Sequence, residues 1–119
     1  MTDLKKILYV EDDQNIAEIV LVALQELGGF EVTHCLLAKD ALALVKKAPP
    51  QLILMDVMLP DIDGVTAAET INTNQTKPIP VIFMTAKPLE LKGGIGVIMK
   101  PFNVATLCSK INEMWKNAK

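Results

Sequence analysis

Side chains that can take part in phosphoryl chemistry directly follow four short apolar segments of the sequence. The first segment is followed by an acidic triplet and the other three by single residues: Glu11, Asp12 and Asp13; Asp56; Thr85; and Lys100. Converging carboxylates repel one another unless a cation lies between them. Oxygen ligands without His or Cys favour Mg²⁺, which keeps waters that a phosphate can replace. If these side chains meet, they predict phosphoryl transfer to a carboxylate with Mg²⁺ as cofactor.

The elements that would position these residues alternate between strands and helices. Strands are predicted at 7–10, 31–36, 52–55, 79–84 and 97–99, and helices at 16–27, 39–47, 64–72 and from 104 onward. The last helix is expected to bury Val104, Leu107, Cys108, Ile111 and Trp115. Strands that are apolar on both faces are typical of a parallel sheet covered by helices. The pattern predicts an α/β, doubly wound, five-stranded parallel sheet of flavodoxin-like type, with its site at the carboxyl ends of the strands.

Composition excludes several classes of protein. A chain of 119 residues, half of them hydrophobic, fits one domain over 1–119 and is not disordered. Its basic residues are all lysines, which disfavours direct nucleic-acid binding, because arginine makes the bidentate contacts. Two cysteines, Cys35 and Cys108, are too few for a disulfide framework and indicate a cytoplasmic location. No segment has the length of a membrane span or the pattern of a signal peptide.

Four segments together resemble the receiver domain of two-component response regulators: ILYVEDD, LILMDVMLPDIDG, PVIFMTAK and MKPF. The resemblance covers nearly the whole chain. It implies a signalling module that takes a phosphoryl group from a histidine kinase or a histidine phosphotransfer protein. Such a module catalyses its own phosphorylation and slow dephosphorylation but is not a turnover enzyme. We expect a monomer or weak dimer, with no room in this chain for an output domain.

The resemblance also implies a role for each acidic residue of the candidate site. Asp56 is the implied phosphoacceptor and also a metal ligand. Asp12 is the implied direct Mg²⁺ ligand, with Glu11 acting on the metal through water and Met58 contributing its backbone carbonyl. If the acidic pair is read in an Asp-Asp register instead, Asp13 becomes the ligand.

The resemblance assigns further roles beyond the acidic residues. Thr85 and Lys100 are expected to contact the phosphoryl oxygens, and Pro101 is expected to follow a cis peptide bond. Positions equivalent to Met58 and Lys87 tune the lifetime of the phosphoryl group. Neither side chain can accept a proton from an attacking water at neutral pH, so we expect slow hydrolysis.

One segment departs from the family pattern. Only the 14 residues 86–99 lie between Thr85 and Lys100, whereas a loop, helix, loop and strand of ordinary length need about 22. A shortened fourth helix is therefore expected, near 88–92. Val97 also stands where the family usually has an aromatic switch residue. We expect the signal to be read elsewhere, through the loop after Thr85 or the face of the first helix.

Other interpretations of these residues remain open. The acidic triplet precedes a helix and could serve as a cap. The chain could be a degenerate receiver-fold interaction module without phosphorylation. The segment from Asp61 to Thr66 resembles the nucleophile motif of haloacid-dehalogenase-type phosphatases, but it does not directly follow a strand. His34 and Cys35 are expected to be structural or exposed and to lie away from the acidic cluster.

Overall fold

The computed structural model describes residues 3–73, 75–86 and 93–118, which form one parallel sheet with helices on both faces. The strands are β1 (Lys6–Val10), β2 (Glu31–Cys35), β3 (Leu52–Asp56), β4 (Val81–Thr85) and β5 (Gly96–Met99). The helices are α1 (Gln14–Val22), which continues into a π-helical turn (Ala23–Leu27), α2 (Ala38–Lys47), α3 (Gly64–Thr73) and α4 (Val104–Asn117).

The strand order is β2-β1-β3-β4-β5, and every neighbouring pair is parallel. This order reverses direction between β1 and β3, which is the point where doubly wound sheets place their sites. The predicted fold class is thus confirmed. The shortened fourth helix was predicted near 88–92, which lies outside the described residues.

The sheet separates two apolar cores. β3 and β4 are buried at all five of their positions, because helices cover both of their faces. One core lies between the sheet and the helices α1 and α4, and the other lies between the sheet and α2 and α3. β4 begins two residues later than predicted, since Pro80 has no N–H for the ladder; its carbonyl accepts a bond from the Ile53 N–H at 3.0 Å.

Helix α4 buries three of the five residues predicted for its inner face: Leu107, Ile111 and Trp115. The prediction was wrong for Val104, which is 36% exposed, because it is the first residue of α4 and directly follows the N-cap Asn103, before the buried part of the helix begins. Cys108 is only half-buried, and its Sγ donates to the Ala23 carbonyl at 3.2 Å. At the far end of α4, Trp115 lines a groove with Pro49, Pro50 and Pro80 near the amino ends of the strands.

Both cysteines, Cys35 and Cys108, are free thiols. Among the described residues, no helix combines the length and the apolar character that crossing a bilayer would need.

Candidate functional site

The carboxyl ends of the strands bring the predicted acidic and basic residues together. Carboxylate oxygens of Glu11, Asp12 and Asp56 lie within 4.8 Å of one another. The Lys100 Nζ lies 2.8 Å from Glu11 Oε1 and 3.3 Å from Asp56 Oδ2. These four residues follow or end β1, β3 and β5, so the parallel order of the strands is what makes them neighbours. The sequence prediction that they meet at one edge is confirmed.

The backbone around Asp56 is tightly held. Asp56 ends β3 at 6% exposure, and its Oδ1 accepts a bond from the Met58 N–H at 3.3 Å. The Val57 N–H donates to the Met84 carbonyl at 3.1 Å, and the Gly64 N–H donates to the Val57 carbonyl at 2.7 Å. A Cβ at position 64 would overlap the carbonyl oxygen of Asp56. Glycine at the start of α3 therefore allows the helix to approach the backbone of Asp56.

Burial and charge act in opposite directions on the two charged partners. Glu11 is 1% exposed. Burial, together with the neighbouring Asp56, raises the pKa of Glu11 to about 7, although Lys100 opposes that rise. Burial lowers the pKa of Lys100, but the hydrogen bond and charge of Glu11 and the charge of Asp56 outweigh it, so that pKa is raised. Among the described residues, Lys100 is thus the one cation paired with Glu11 and Asp56, and Asp12 adds a third carboxylate to the cluster.

This donor set fits a small divalent cation. The cluster offers carboxylate oxygens from Glu11, Asp12 and Asp56, without a His or Cys ligand among them. Mg²⁺ prefers such hard oxygen donors. A second cation would also balance the charge that Lys100 alone leaves uncompensated. The residues present therefore fit the magnesium ion that the sequence predicts.

The acidic residues that follow β1 lie in different environments. Asp13 is the N-cap of α1, and its Oδ1 accepts bonds from the N–H groups of Asn15 at 3.0 Å and Ile16 at 3.1 Å. The exposed Asp12 has no hydrogen-bond partner for its carboxylate within the described residues. The structure thus brings Asp12 into the cluster and gives Asp13, the ligand in the alternative register, a capping bond instead.

Thr85 and Lys100 lie side by side on β4 and directly after β5. The Lys100 N–H donates to the Thr85 carbonyl at 2.7 Å, and Thr85 is 4% exposed. The Lys100–Pro101 peptide bond is cis, as expected. Val97 pairs with Phe83 across the two strands and is 37% exposed. Of the lifetime positions, Met58 is 66% exposed, whereas Lys87 lies outside the described residues.

His34 contacts the acidic segment, so the prediction that it lies away from the cluster is wrong. Its Nε2 lies 2.9 Å from the carbonyl oxygen of Glu11. The parallel register places His34 beside Tyr9, and their ring centroids are 5.3 Å apart. The signal was available in the sequence, since the parallel pairing of the first two strands places their last residues side by side. The same prediction is wrong for Cys35, whose carbonyl accepts a bond from the Glu11 N–H at 3.1 Å. Burial, aided by the charges of Asp40 and Asp61, raises the pKa of the Cys35 thiol to about 12.

The two acids of the phosphatase-like segment serve as helix caps. Asp61 accepts bonds from the N–H groups of Ala38 at 3.1 Å and Lys39 at 2.9 Å, at the start of α2. Asp63 accepts from the N–H of Thr66 at 3.0 Å and from its hydroxyl at 2.6 Å, at the start of α3. Neither belongs to the carboxylate cluster. The structure therefore gives this segment a role in holding two helices.

Comparison with known proteins places these features in one family. A family model described as "Response regulator receiver domain" matches residues 7–112. The regulatory protein AtoC of Escherichia coli (strain K12) is 34% identical over 115 residues, covering 90% of this chain and 24% of AtoC. The phosphate regulon transcriptional regulatory protein PhoB of Pseudomonas aeruginosa is 34% identical over 118 residues, covering 92% of this chain and 51% of PhoB.

The fold is also similar to solved structures. The chemotaxis response regulator CheY4 of Vibrio cholerae superposes with a TM-score of 0.84 at 28% identity, covering 93% of this chain and 98% of that one. The chain spans only about a quarter of AtoC and half of PhoB. The similarity to these curated relatives therefore concerns one part of each of them.

Proposed function

The chain belongs to the family of response regulator receiver domains of two-component systems, and on that premise we propose that the Asp56 carboxylate accepts a phosphoryl group from a histidine kinase or a histidine phosphotransfer protein. The observation that carries this proposal is the position of Asp56. Its carboxylate ends a buried strand, lies 3.3 Å from an ammonium and belongs to a cluster of three acids. An acceptor beside positive charge is what phosphoryl transfer needs, because charge accumulates on the phosphoryl oxygens.

The transfer is an exchange of one bond to phosphorus for another. A carboxylate oxygen of Asp56 forms a bond to phosphorus while the phosphorus–nitrogen bond to the donor imidazole breaks. The electron pair of that bond leaves with the imidazole nitrogen. Lys100 neutralises charge on the transferred oxygens, and the Thr85 hydroxyl donates a hydrogen bond to one of them. The domain thereby promotes its own phosphorylation, and the same site supports slow loss of the group.

The residues that would hold Mg²⁺ are Asp12, Asp56, the backbone carbonyl of Met58 and, through water, Glu11. When bound, the ion supplies positive charge to the phosphoryl oxygens. The oxygen-only cluster and the surplus of carboxylates over ammonium groups support this assignment. Asp13 remains the alternative ligand of the other register, although its cap bonds to α1 compete with that role.

Slow hydrolysis of the phosphoryl group follows from the chemistry of Met58 and Lys87. The thioether of Met58 is exposed and cannot take a proton from an attacking water. Replacing Met58 with Glu is expected to shorten the lifetime severalfold, because a carboxylate there can act as the base. The lifetime is measured by loss of the adduct with time after the phosphoryl donor is removed.

The wider setting is proposed from the family and from the surface of the chain. Residues 1–119 are proposed to form one cytoplasmic receiver domain, a monomer or weak dimer that does not itself contact nucleic acid. Its donor is proposed to dock near α1 and the loop after Lys100. Two apolar residues of α1, Ile19 and Val22, are more than half exposed, which supports a docking role for this helix.

One experiment tests the proposed function against its alternatives. The chain is incubated with Mg²⁺ and acetyl phosphate, and the intact mass is measured for a single added phosphoryl group. The adduct is expected in the wild type and in the matched Asp61→Asn control, and it is expected to disappear in Asp56→Asn. A wild type without adduct would instead favour the interaction module, and phosphate release that depends on Asp61 would favour the phosphatase.

A further inference from the structure

The backbone of Glu11 is held on both sides by the end of β2. Its N–H donates to the Cys35 carbonyl at 3.1 Å, and its own carbonyl lies 2.9 Å from the His34 Nε2. Building on the proposed function, we infer that His34 is a positioning residue, which orients the metal ligand Asp12 through the peptide group that joins it to Glu11. His34 thus acts on the site without touching Asp12 or the phosphoryl group.

The inference follows from the planarity of the peptide bond. The Glu11 carbonyl and the Asp12 nitrogen lie in one rigid plane, so a bond to that oxygen fixes the direction in which the chain enters Asp12. On the other side of Asp12, the side chain of Asp13 is tied to the first turn of α1. Asp12 is exposed but lies between two anchored neighbours. The backbone of Asp12 is therefore fixed on both sides, which sets the direction in which its side chain leaves the chain.

The imidazole of His34 is itself held in one orientation. A carbonyl oxygen only accepts hydrogen bonds, so the Nε2 must carry the proton in this contact. The ring packs at a 32° angle beside the ring of Tyr9, which is fully buried. The Tyr9 hydroxyl in turn lies 3.4 Å from Glu11 Oε1, toward which it donates. Neighbouring residues of β1 and β2 thus contact the backbone and the side chain of Glu11.

The bond is not needed merely to satisfy the Glu11 carbonyl. β2 is an edge strand and His34 is only half-buried, so water can reach this part of the site. A carbonyl near water loses little when a side-chain donor is removed. Orientation is what the imidazole adds, and removal of the imidazole is expected to affect metal binding more than folding.

The test compares Mg²⁺ binding by isothermal titration calorimetry in three variants of the full chain. His34→Ala is expected to weaken binding about three- to tenfold, less than the 10- to 100-fold typical of groups that bond a metal ligand directly. His34→Gln keeps an N–H donor and is expected to restore most of the affinity. Val32→Ala removes part of a half-buried core side chain from the same face of β2, and is expected to lower stability without weakening Mg²⁺ binding.

A second measurement uses the metal-free protein. The backbone amide of Asp12 is expected to show a lower NMR order parameter in His34→Ala than in the wild type and in His34→Gln. Equal Mg²⁺ affinities and equal order parameters in all proteins would overturn the inference. So would equal weakening in His34→Ala and Val32→Ala, or no rescue by His34→Gln.

Failure of the proposed function gives a different result. The wild type would then take up no phosphoryl group from acetyl phosphate, and Asp12→Asn would bind Mg²⁺ as well as the wild type does. In that case, the metal-free order parameters still decide whether His34 positions Asp12.

Discussion

Two sets of acids lie close together in this protein and have opposite environments. Glu11 and Asp56 follow or end strands, are buried, and share one ammonium. Asp61 and Asp63 lie in the loop after β3, are exposed, and accept bonds from backbone N–H groups. Asp61 follows Asp56 by only five positions in the sequence. Residue type alone therefore does not decide the role of an acid; its place relative to the end of a strand does.

The pKa values express the same contrast. Burial raises the pKa of Glu11 to about 7. The slight burial of Asp61 would raise its pKa, but the N–H groups of Lys39 and Ala38 outweigh it and lower that pKa. The hydroxyl and N–H of Thr66 lower the pKa of Asp63. The strand-end acids gain from an added cation, whereas the loop acids already have their partners.

The largest expected effect compares the lysine that is paired with the strand-end acids with an exposed lysine near the loop acids. Lys100→Ala removes the ammonium between Glu11 and Asp56, and we expect phosphorylation by acetyl phosphate to slow by about 100-fold, the usual loss for one electrostatic donor. Lys39→Ala removes an exposed lysine beside Asp61 and is expected to leave the rate unchanged. Initial rates of adduct formation by mass spectrometry give the comparison. Equal rates in the two variants would contradict it.

The next effect is a loss of stability at Gly64, which connects the loop acids to the strand-end acids. Gly64 follows Asp63 and packs against the backbone of Asp56, so Gly64→Ala forces that backbone to move. We expect the free energy of unfolding to fall by about 3 kcal/mol, as for other overpacked sites. Gly29→Ala is the control, because no atom lies within 4 Å of the added Cβ there. The expected cost of Gly29→Ala is about 1 kcal/mol, because an alanine is strained at the φ of +69° that Gly29 adopts. Urea unfolding followed by circular dichroism measures both, and equal losses would refute the packing argument.

A smaller effect tests the loop acids as caps. The N-cap residue of α2 is Leu37, whose side chain cannot accept a bond, so Asp61 supplies the cap from another loop. We expect Asp61→Ala to lower the free energy of unfolding by about 1 kcal/mol, the usual cost of a lost cap. The rate of phosphorylation should change less than twofold. A large loss of that rate with full stability would place Asp61 in the reacting site instead.

The smallest effect is the pH dependence of this cap. Because the folded-state pKa of Asp61 lies below its ordinary value of about 3.9, its contribution is fully present above that value. The contribution is lost as pH falls through the folded-state pKa. The stability difference between wild type and Asp61→Asn should therefore shrink between pH 6 and pH 3. A difference that grows toward low pH in urea unfolding would have the wrong sign.

Periodic apolar patterns and the positions of strand ends were enough to predict the sheet and most of the candidate site. Two-sided apolar segments predicted the sheet, and the edge rule brought Asp12, Asp56 and Lys100 together. The contact of Asp61 with Ala38 was missed, because it joins residues 23 positions apart and depends on how two loops meet. The contact of His34 was missed although the parallel pairing of β1 and β2 places residue 34 beside the end of β1. Val104 fits a helical stripe, but periodicity does not show how far the buried part of a helix reaches toward its first residue.

The position of Trp115 has a practical consequence. The chain has a single tryptophan, whose buried side chain lines a groove at the amino ends of the strands, whereas the acids lie at the carboxyl ends. Its intrinsic fluorescence should therefore change on unfolding but respond weakly to metal or phosphoryl binding. The opposite ends of one sheet thus give independent optical and chemical signals, so stability and ligand binding can be followed separately in the same sample.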